Sequence, residues 1–379
     1  MKNVIFIDFE PLTLQRVNTF CIDKLIKRKI HVEVWNMSQY FNYNDMKFVD
    51  KIETKYLHSI LNLQDLQNNI DRIGVSNSVF VIECPDNWVN RHFFKLLKKK
   101  NCYTIKIVLF YNAFVKINNL NKIVRITPRR FVLFIKYRTF YYLYALYKII
   151  YHFRSYDLVM STGSHPCDVS VNHPDFEQYK EALNRQEVKR KYAVFLDQYL
   201  TQHPDELHFW KQDLSALTKI YLDKMNAFFS ALEEKWGIEI IIAAHPKSNY
   251  ANDAFNGRDI IKYQTVSLVK DAQYVISQGS SSFCFPILFG KPFLLVSEYI
   301  YQQIDVGLIN LQKIATICGK KIFNIDKDDT DHLEYPTPVN EKGREIYIYN
   351  NLTSKKSENK KNIDIFVDTF ESVNQSPDR

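Results

Sequence analysis

Short apolar runs alternate with segments of helical periodicity along the chain, and this alternation restricts the fold more than any other sequence feature. Val4–Ile7, His31–Trp35 and Ser78–Ile82 are apolar runs of strand length, and Leu14–Lys27 has the spacing of an amphipathic helix. Strands separated by helices form parallel sheets with right-handed crossovers. The first half of the chain is therefore predicted to be a parallel α/β domain.

The same alternation begins again after a polar, charged stretch, Gly163–Lys191, where we place the domain junction. Ile238–Ala243 has almost no polar residue, which is typical of a strand buried on both faces of a sheet. A chain of 379 residues has room for two domains. The apolar run Ile363–Phe370 predicts a terminal helix that crosses back to the first domain. The predicted divisions are 1–185, 186–350 and a tail of 351–379.

Composition limits the chemistry of a site. The chain has 9 glycines and no GxGxxG after its first strand, so a phosphate would be bound by side chains and helix N-termini. The 6 cysteines include no CxxC pair, and no Cys/His cluster has zinc spacing. The acidic run Asp326–Asp329 is interpreted as a solvated loop, so no metal site is predicted. The net charge of +8 is dispersed and no recognition motif is present, which argues against nucleic-acid binding.

One segment, residues 125–154, combines basic and aromatic side chains. No uncharged apolar stretch within it reaches the roughly 20 residues that span a bilayer. Two interpretations remain open. It forms either a helix that makes peripheral contact with an anionic membrane surface, or a buried helix whose lysines reach solvent.

His245, Pro246 and Lys247 directly follow the apolar strand Ile238–Ala243. In open α/β sheets, ligands bind beyond the carboxyl ends of the strands. An imidazole at this place can donate to a phosphate oxygen, the proline restricts the turn that directs it, and the lysine adds positive charge. The alternative is a turn histidine bonded to the backbone.

A second group of candidates follows the apolar run Tyr274–Ser277. Gly279 permits close approach of the backbone, and hydroxyls at the start of a helix contribute to an anion site. These hydroxyls belong to Ser280, Ser281 and Ser282. An ordinary serine N-cap is the alternative. Thr265 begins a short helical segment whose N-terminus is expected to face the same edge.

Carboxylates also follow strands. Asp197 comes directly after the run that ends at Leu196, where it could act as a general base toward a substrate hydroxyl, or serve as a structural cap. His203 begins a His-Pro-Asp-Glu sequence, interpreted as a surface capping turn or as a wall of the same site. Asp8 and Glu10 are the matching candidates after the first strand; Glu10 is ranked below Asp197 because no neighbouring motif supports it.

Two segments together resemble a known family. Residues 243–248 (AAHPKS) and 265–296 (TVSLVKDAQYVISQGSSSFCFPILFGKPFLLV) are similar to the second domain of bacterial GT-B glycosyltransferases of surface polysaccharide synthesis. The likeness covers about 190–300 and is nearest to the CMP-sugar-dependent sialyl-, polysialyl- and Kdo-transferases. Glycerophosphate transferases of teichoic acid synthesis share a related layout. The resemblance implies an α/β, GT-B-like fold, with two Rossmann-like domains whose parallel sheets face a central cleft.

The resemblance also implies that the two domains bind different substrates. The first domain would bind a glycan or lipid-linked acceptor, and the second would bind a nucleotide sugar. His245 and Pro246 would form one motif of the second domain, and the serines 280–282 would form the other. Both motifs would hold the phosphate and ribose of CMP. It implies an inverting, metal-independent enzyme without a cofactor. Such an enzyme would move an acidic sugar, a nonulosonate or Kdo, to a capsule, lipooligosaccharide or O-antigen acceptor.

One departure from the family concerns the base, because the acidic-acidic-Gly motif that supplies it in some members is missing from the first half. The expected location is cytoplasmic, with peripheral association at the inner face of the membrane. Two alternatives remain: a sugar-nucleotide 2-epimerase, and a non-catalytic, membrane-peripheral glycan-assembly protein on the same fold.

Overall fold

The computed structural model describes residues 3–41, 51–110, 128–151, 154–185, 190–203, 213–302 and 305–373. The chain divides into two compact units, one containing the described residues up to 171 and from 356 onward, the other residues 172–355. This division precedes the expected 185/186 boundary. The helix Pro174–Ala182 packs in the second unit, where Phe176 joins the core and the Tyr179 ring lies 4.9 Å from that of Phe289.

The first unit contains a parallel sheet with the strand order β3-β2-β1-β4-β5-β6-β7. Its strands are β1 (Asn3–Asp8), β2 (His31–Asn36), β3 (Leu57–Ser59), β4 (Ser78–Glu83), β5 (Tyr103–Val108), β6 (Leu158–Ser161) and β7 (Val169–Ser170). The helices between them are α1 (Leu14–Thr19), α2 (Ile22–Lys27), α3 (Leu63–Ile73), α4 (Arg91–Lys99) and α5 (Pro128–Ile150).

The second unit contains another parallel sheet, with the order β10-β9-β8-β11-β12-β13. Its strands are β8 (Tyr192–Leu196), β9 (Glu239–Ala244), β10 (Ile260–Lys262), β11 (Val275–Ser277), β12 (Phe293–Ser297) and β13 (Ile322–Asn324). Its helices are α6 (Pro174–Ala182), α7 (Thr218–Trp236), α8 (Thr265–Asp271), α9 (Cys284–Leu288), α10 (Tyr299–Gln302), α11 (Asp305–Cys318) and α12 (Glu341–Asn351). The last helix, α13 (Asn362–Ser372), belongs to the first unit.

Both sheets have the doubly wound strand order. Counted from the first strand of each unit, the order begins 3-2-1-4-5-6 in both, and the winding reverses between β1 and β4 and between β8 and β11. This confirms the predicted fold class of two Rossmann-like α/β domains with parallel sheets, a GT-B-like organisation. The reversal points are where such sheets bind ligands.

One expected helix is broken in two. The spacing over Leu14–Lys27 predicted a single helix, but Cys21 has a φ of 55° and separates α1 from α2. This left-handed residue redirects the chain, so that Phe20 and Ile22 on either side of it both enter the core. Thr13 caps α1 by accepting the Arg16 N–H at 3.3 Å.

The C-terminal helix α13 completes the core of the first unit. Ile363, Phe366 and Phe370 are buried there together with side chains of β1 and β2. An ion pair between Arg28 and Asp364 links α2 to α13 at the surface. The last helix of the chain therefore packs against the first helices.

The helix α5 presents two different faces. On one face, the hydroxyl of Tyr144 and the Nζ of Lys148 each lie 2.7 Å from a carboxylate oxygen of Asp86. The exposed face carries Tyr141, Tyr142, Leu146, Ile149 and Ile150. In the part of the chain that the structure describes, no helix is both long enough and apolar enough to cross a membrane.

Candidate functional site

Three loops leave the carboxyl ends of β8, β9 and β11 where the winding of the second sheet reverses. The pairing register places Leu196 of β8 beside Ala243 of β9 and Ser277 of β11. Because β8 lies between β9 and β11, the histidine and serine loops start two strand spacings apart, about 10 Å. The loops thus flank Asp197, the first residue after β8.

The Asp197 carboxylate is buried and holds the histidine loop in place. Its Oδ1 accepts hydrogen bonds from the Tyr199 N–H (2.9 Å) and the Tyr250 hydroxyl (3.0 Å), and its Oδ2 accepts one from the His245 N–H (3.1 Å). The residue is 3% exposed, and this burial raises its pKa, while the hydrogen bonds act in the opposite direction. Asp197 therefore has the geometry of a group that positions His245.

His245 lies in a tight turn that fixes its ring. Its carbonyl accepts the Ser248 N–H at 2.9 Å, and its Nδ1 accepts the Lys247 N–H at 3.1 Å, with Pro246 between them. Because Nδ1 is an acceptor, the neutral ring carries its proton on Nε2. That Nε2 lies 3.4 Å from the Nε2 of His203, whose ring centre is 4.6 Å away.

His203 thus lies beside His245. The Pro-Asp-Glu sequence that follows it lies outside the described residues. The sequence signal for this pair was positional: His203 follows the first strand of the second unit, and His245 follows the adjacent strand.

Two buried polar atoms beside these loops have no hydrogen-bond partner within the described residues: the Nε2 of Gln198 and the Oγ of Ser248. Ser248 is 1% exposed, and its carbonyl accepts a hydrogen bond from the Nζ of Lys262. Buried polar groups are nearly always paired in folded proteins. Two unpaired groups on adjacent loops therefore indicate a place for a polar ligand. Sequence reasoning missed both, although each lies within three residues of a predicted site residue.

The serine loop has a conformation that requires glycine. Gly279 has a φ of 99°, and a Cβ added there would lie 2.9 Å from the Tyr301 hydroxyl. Ser280 acts as an N-cap, because its Oγ accepts the Ser282 N–H at 3.4 Å. The helical segment begins as a 3₁₀ turn at the exposed Ser281 and continues as α9.

Thr265 occupies a more distant place. It is the first residue of α8, which follows the edge strand β10. Because β9 separates β10 from β8, Thr265 lies toward the margin of the sheet, whereas His245 lies beside its centre.

The matching point of the first unit is a cluster of charged groups. Asp8 is 4% exposed and accepts hydrogen bonds from Arg16 Nε and, at 3.0 Å, from the Glu10 N–H. Glu10 Oε2 accepts one from Arg16 Nη1 at 3.1 Å, and Lys106 Nζ lies 3.6 Å from Glu83 Oε2. Burial raises the pKa of both Asp8 and Glu83, and the two cations oppose this shift.

Glu10 is the most accessible carboxylate of this cluster, with 29% of its side chain exposed. The sequence indicated Asp8 and Glu10 but not Glu83 and Lys106, which lie on strands that the sheet pairing brings together. It did not indicate Arg16 either, which α1 directs back toward both carboxylates. Within the described ranges, no group of three or more His, Cys, Asp or Glu side chains has the arrangement of a metal site.

No family model and no curated protein sequence matches the chain. Among solved structures, the chain is similar to glycosyltransferase VinC in complex with dTDP (10% identity, 98% of this chain and 99% of that one, TM-score 0.48). It is also similar to the UDP-GlcNAc 2-epimerase of Methanocaldococcus jannaschii (12% identity, 92% of this chain and 98% of that one, TM-score 0.43). A third similar structure is MurG of Acinetobacter baumannii (8% identity, 87% of this chain and 88% of that one, TM-score 0.42).

Proposed function

We propose that the protein is an inverting glycosyltransferase that uses a nucleotide sugar, bound at the carboxyl edge of the second sheet. The observation that carries the proposal is the arrangement after β8 and β9. There a buried Asp197 fixes His245 next to the unpaired buried groups of Gln198 and Ser248. Donors fixed in advance in a site with little water are what a departing phosphate requires.

The phosphate would lie against the histidine loop. His245 would donate a hydrogen bond from Nε2, and Lys247 would add positive charge. The serine loop starts about 10 Å away, which is the distance scale of a nucleotide rather than of one phosphate group. Ser280, Ser281 and Ser282 would therefore bind the ribose or a second phosphate, with Gly279 permitting the close approach of the backbone.

The base belongs, in this proposal, to the first unit. Glu10 combines a position after β1 with partial exposure, whereas the oxygens of Asp197 already accept three hydrogen bonds. Glu10 would take the proton of an acceptor hydroxyl. Asp197 acts in this scheme by positioning His245.

The finer assignments rest on the resemblance of the His-Pro and serine motifs. They are a CMP-linked acidic sugar as donor, a capsule, lipooligosaccharide or O-antigen acceptor, a cytoplasmic location, and catalysis without a metal or cofactor.

A nucleotide screen tests the proposal. CMP, CDP, UDP and dTDP are added at millimolar concentration to the full chain, and the melting temperature is measured. A nucleotide at one hundred times its Kd stabilises the protein by about 2.7 kcal/mol. His245→Gln is expected to weaken binding about tenfold, whereas His332→Gln, in an exposed turn of the same unit, leaves it unchanged.

If none of the four nucleotides moves the melting temperature of the wild-type protein, the proposal fails. A positive result is followed by product analysis with sugars of the best nucleotide and glycan acceptors. The anomeric configuration of the product then tests inversion.

One observation favours the epimerase alternative. Asp8, Glu10 and Glu83 place three carboxylates at the reversal point of the first sheet, and proton transfer at a sugar carbon needs acidic and basic groups of this kind. Turnover of a nucleotide sugar in the absence of any acceptor would support the epimerase and contradict the transferase.

The exposed face of α5 is proposed to contact an anionic membrane surface. The apolar side chains of Leu146, Ile149 and Ile150 are 52%, 67% and 60% exposed. Replacing both isoleucines by serine should reduce co-sedimentation with phosphatidylglycerol vesicles several-fold, because each buried methylene contributes about 0.8 kcal/mol. Ile220→Ser, on the exposed side of α7, is the matched control. Equal sedimentation of all variants would contradict the proposal.

The non-catalytic alternative has its own test. It would be supported if the surface glycan of cells stayed intact after Asp197→Ala and His245→Ala substitutions.

A further inference from the structure

The two imidazoles of His203 and His245 form a pair whose hydrogen bonding depends on their protonation. Their Nε2 atoms are 3.4 Å apart. The Nδ1 of His245 accepts the Lys247 N–H, so the His245 proton is on Nε2 and points toward His203. The Nε2 of His203 must then be the acceptor, and its ring carries its proton on Nδ1.

In this neutral form the Nε2 of His203 accepts the His245 Nε2–H, so the two Nε2 atoms offer an anion a single donor. The uptake of one proton from solvent by His203 changes the hydrogen bonding of the pair. When His203 is protonated at Nε2, the two Nε2–H groups can no longer hydrogen-bond to each other. Two donors 3.4 Å apart can then both donate to one phosphate group.

We propose that His203 is a second phosphate-binding residue, which acts together with His245 as a pair and takes up one proton when a phosphorylated ligand binds. This deepens the nucleotide-binding function proposed above and rests on it. The ligand class is a nucleotide whose phosphate lies against both rings. No covalent step is involved, and the proton comes from solvent.

The surroundings of the pair suit a proton that arrives with an anion. Asp197 faces the backbone of His245, and its charge is engaged by three donors, one of them the Tyr250 hydroxyl. Two cations belong to this edge of the sheet: Lys247 in the histidine loop, and Lys262 at the end of β10, which donates to the Ser248 carbonyl. An added positive charge beside these lysines is unfavourable in the free protein and is offset once the phosphate is bound.

Binding measurements across pH test the proposal. The affinities of the wild-type chain and of His203→Gln for CMP and for UDP are measured by calorimetry between pH 6 and pH 8. Glutamine retains an N–H donor but cannot take up a proton. We expect His203→Gln to bind about tenfold more weakly at pH 6, with the difference shrinking toward pH 8. Comparing the two proteins cancels the titration of the nucleotide itself.

A second variant shows whether weaker binding comes from the missing positive charge or from a folding defect. His203→Lys carries a permanent charge, so its affinity should stay near the wild-type value at pH 6 and depend on pH no more than that of His203→Gln. His332→Gln, in an exposed turn, is the control for any effect on affinity that comes from replacing a histidine elsewhere in the chain.

The outcomes distinguish this inference from the proposed function. If wild type binds neither of these nucleotides, and none of the four in the melting-temperature screen, the proposed function fails and the inference with it. If wild type binds and His245→Gln weakens binding, but His203→Gln matches wild type at every pH, the function stands and the role of His203 is overturned.

Discussion

The two reversal points of the molecule have the same strand order but different chemistry. In the first unit, carboxylates and cations face one another, with Arg16 joining Asp8 and Glu10. In the second, one buried carboxylate, Asp197, accepts hydrogen bonds from neutral donors, and two imidazoles lie together on the loops after β8 and β9. The shared topology determines where a ligand binds, and the side chains after the strands determine which ligand it is.

This difference has a functional consequence. A group of ion-paired carboxylates with raised pKa values is suited to moving protons. A set of fixed donors beside unpaired buried groups is suited to binding an anion. The three predictions that follow test this division, from the largest expected effect to the smallest.

Replacing Asp197 with alanine should have the largest effect. The change leaves the Tyr199 and His245 N–H groups and the Tyr250 hydroxyl without their acceptor, at a cost of about 3 kcal/mol or more in the free energy of unfolding. Nucleotide stabilisation should be lost as well, because His245 is no longer held. Both are measured by urea denaturation with and without nucleotide.

The matched control is Tyr250→Phe, which removes one of the three donors and should cost about 1 kcal/mol. Wild-type stability in Asp197→Ala would show that the second reversal point is not organised around this carboxylate.

Gly279→Ala should have an intermediate effect. The new Cβ would meet the Tyr301 hydroxyl at 2.9 Å in a backbone with a φ of 99°, so we expect a loss of about 2 kcal/mol. Gly290→Ala has only the strain of a φ of 62°, with nothing within 4 Å, and should cost about 1 kcal/mol. If the two variants are equally stable in denaturant, close packing does not shape the serine loop. A double-mutant cycle that combines Gly279→Ala with Tyr301→Phe isolates the energy of the contact between the added Cβ and the Tyr301 hydroxyl.

Glu83→Gln should have the smallest effect, and one that depends on pH. Since burial raises the pKa of Glu83 above its ordinary 4.5, the folded state holds this proton more tightly than the unfolded chain. The stability it contributes is present below pH 4.5 and is lost as the pH rises through the raised value. The variant should therefore be more stable than wild type at pH 8, with the gap closing near pH 4.

Chemical denaturation at several pH values measures this gap. The control is Glu341→Gln, whose carboxylate is 74% exposed beside Arg344 and should show little pH dependence of this kind. A gap that widens toward low pH would show that Lys106 dominates the environment of Glu83.

The sequence indicated the strands of the two sheets well where they are long and apolar. Tyr192–Leu196 was located to the residue, because a strand buried on both faces leaves a clear apolar run. The two- and three-residue edge strands β3, β7, β10 and β13 were missed, since so short a segment carries no periodicity. The break at Cys21 was missed for a similar reason, because no glycine marks the left-handed residue.

For the site, the sequence located the loops but not their connections. That β8 separates the histidine and serine loops follows from the strand order, which no local pattern contains. The bond between Asp197 and the His245 backbone, and the approach of His203, join residues more than 40 positions apart. Such contacts depend on tertiary pairing, so no local pattern around Asp197 showed that its carboxylate holds the His245 backbone.

The place of α13 has a consequence for how the protein is made. The first unit lacks Phe366 and Phe370 until the ribosome has read through the whole of the second unit. The second unit, whose described residues lie between 172 and 355, can finish folding earlier. During synthesis the unit translated first is thus the one completed last, and its apolar surface needs protection for that interval.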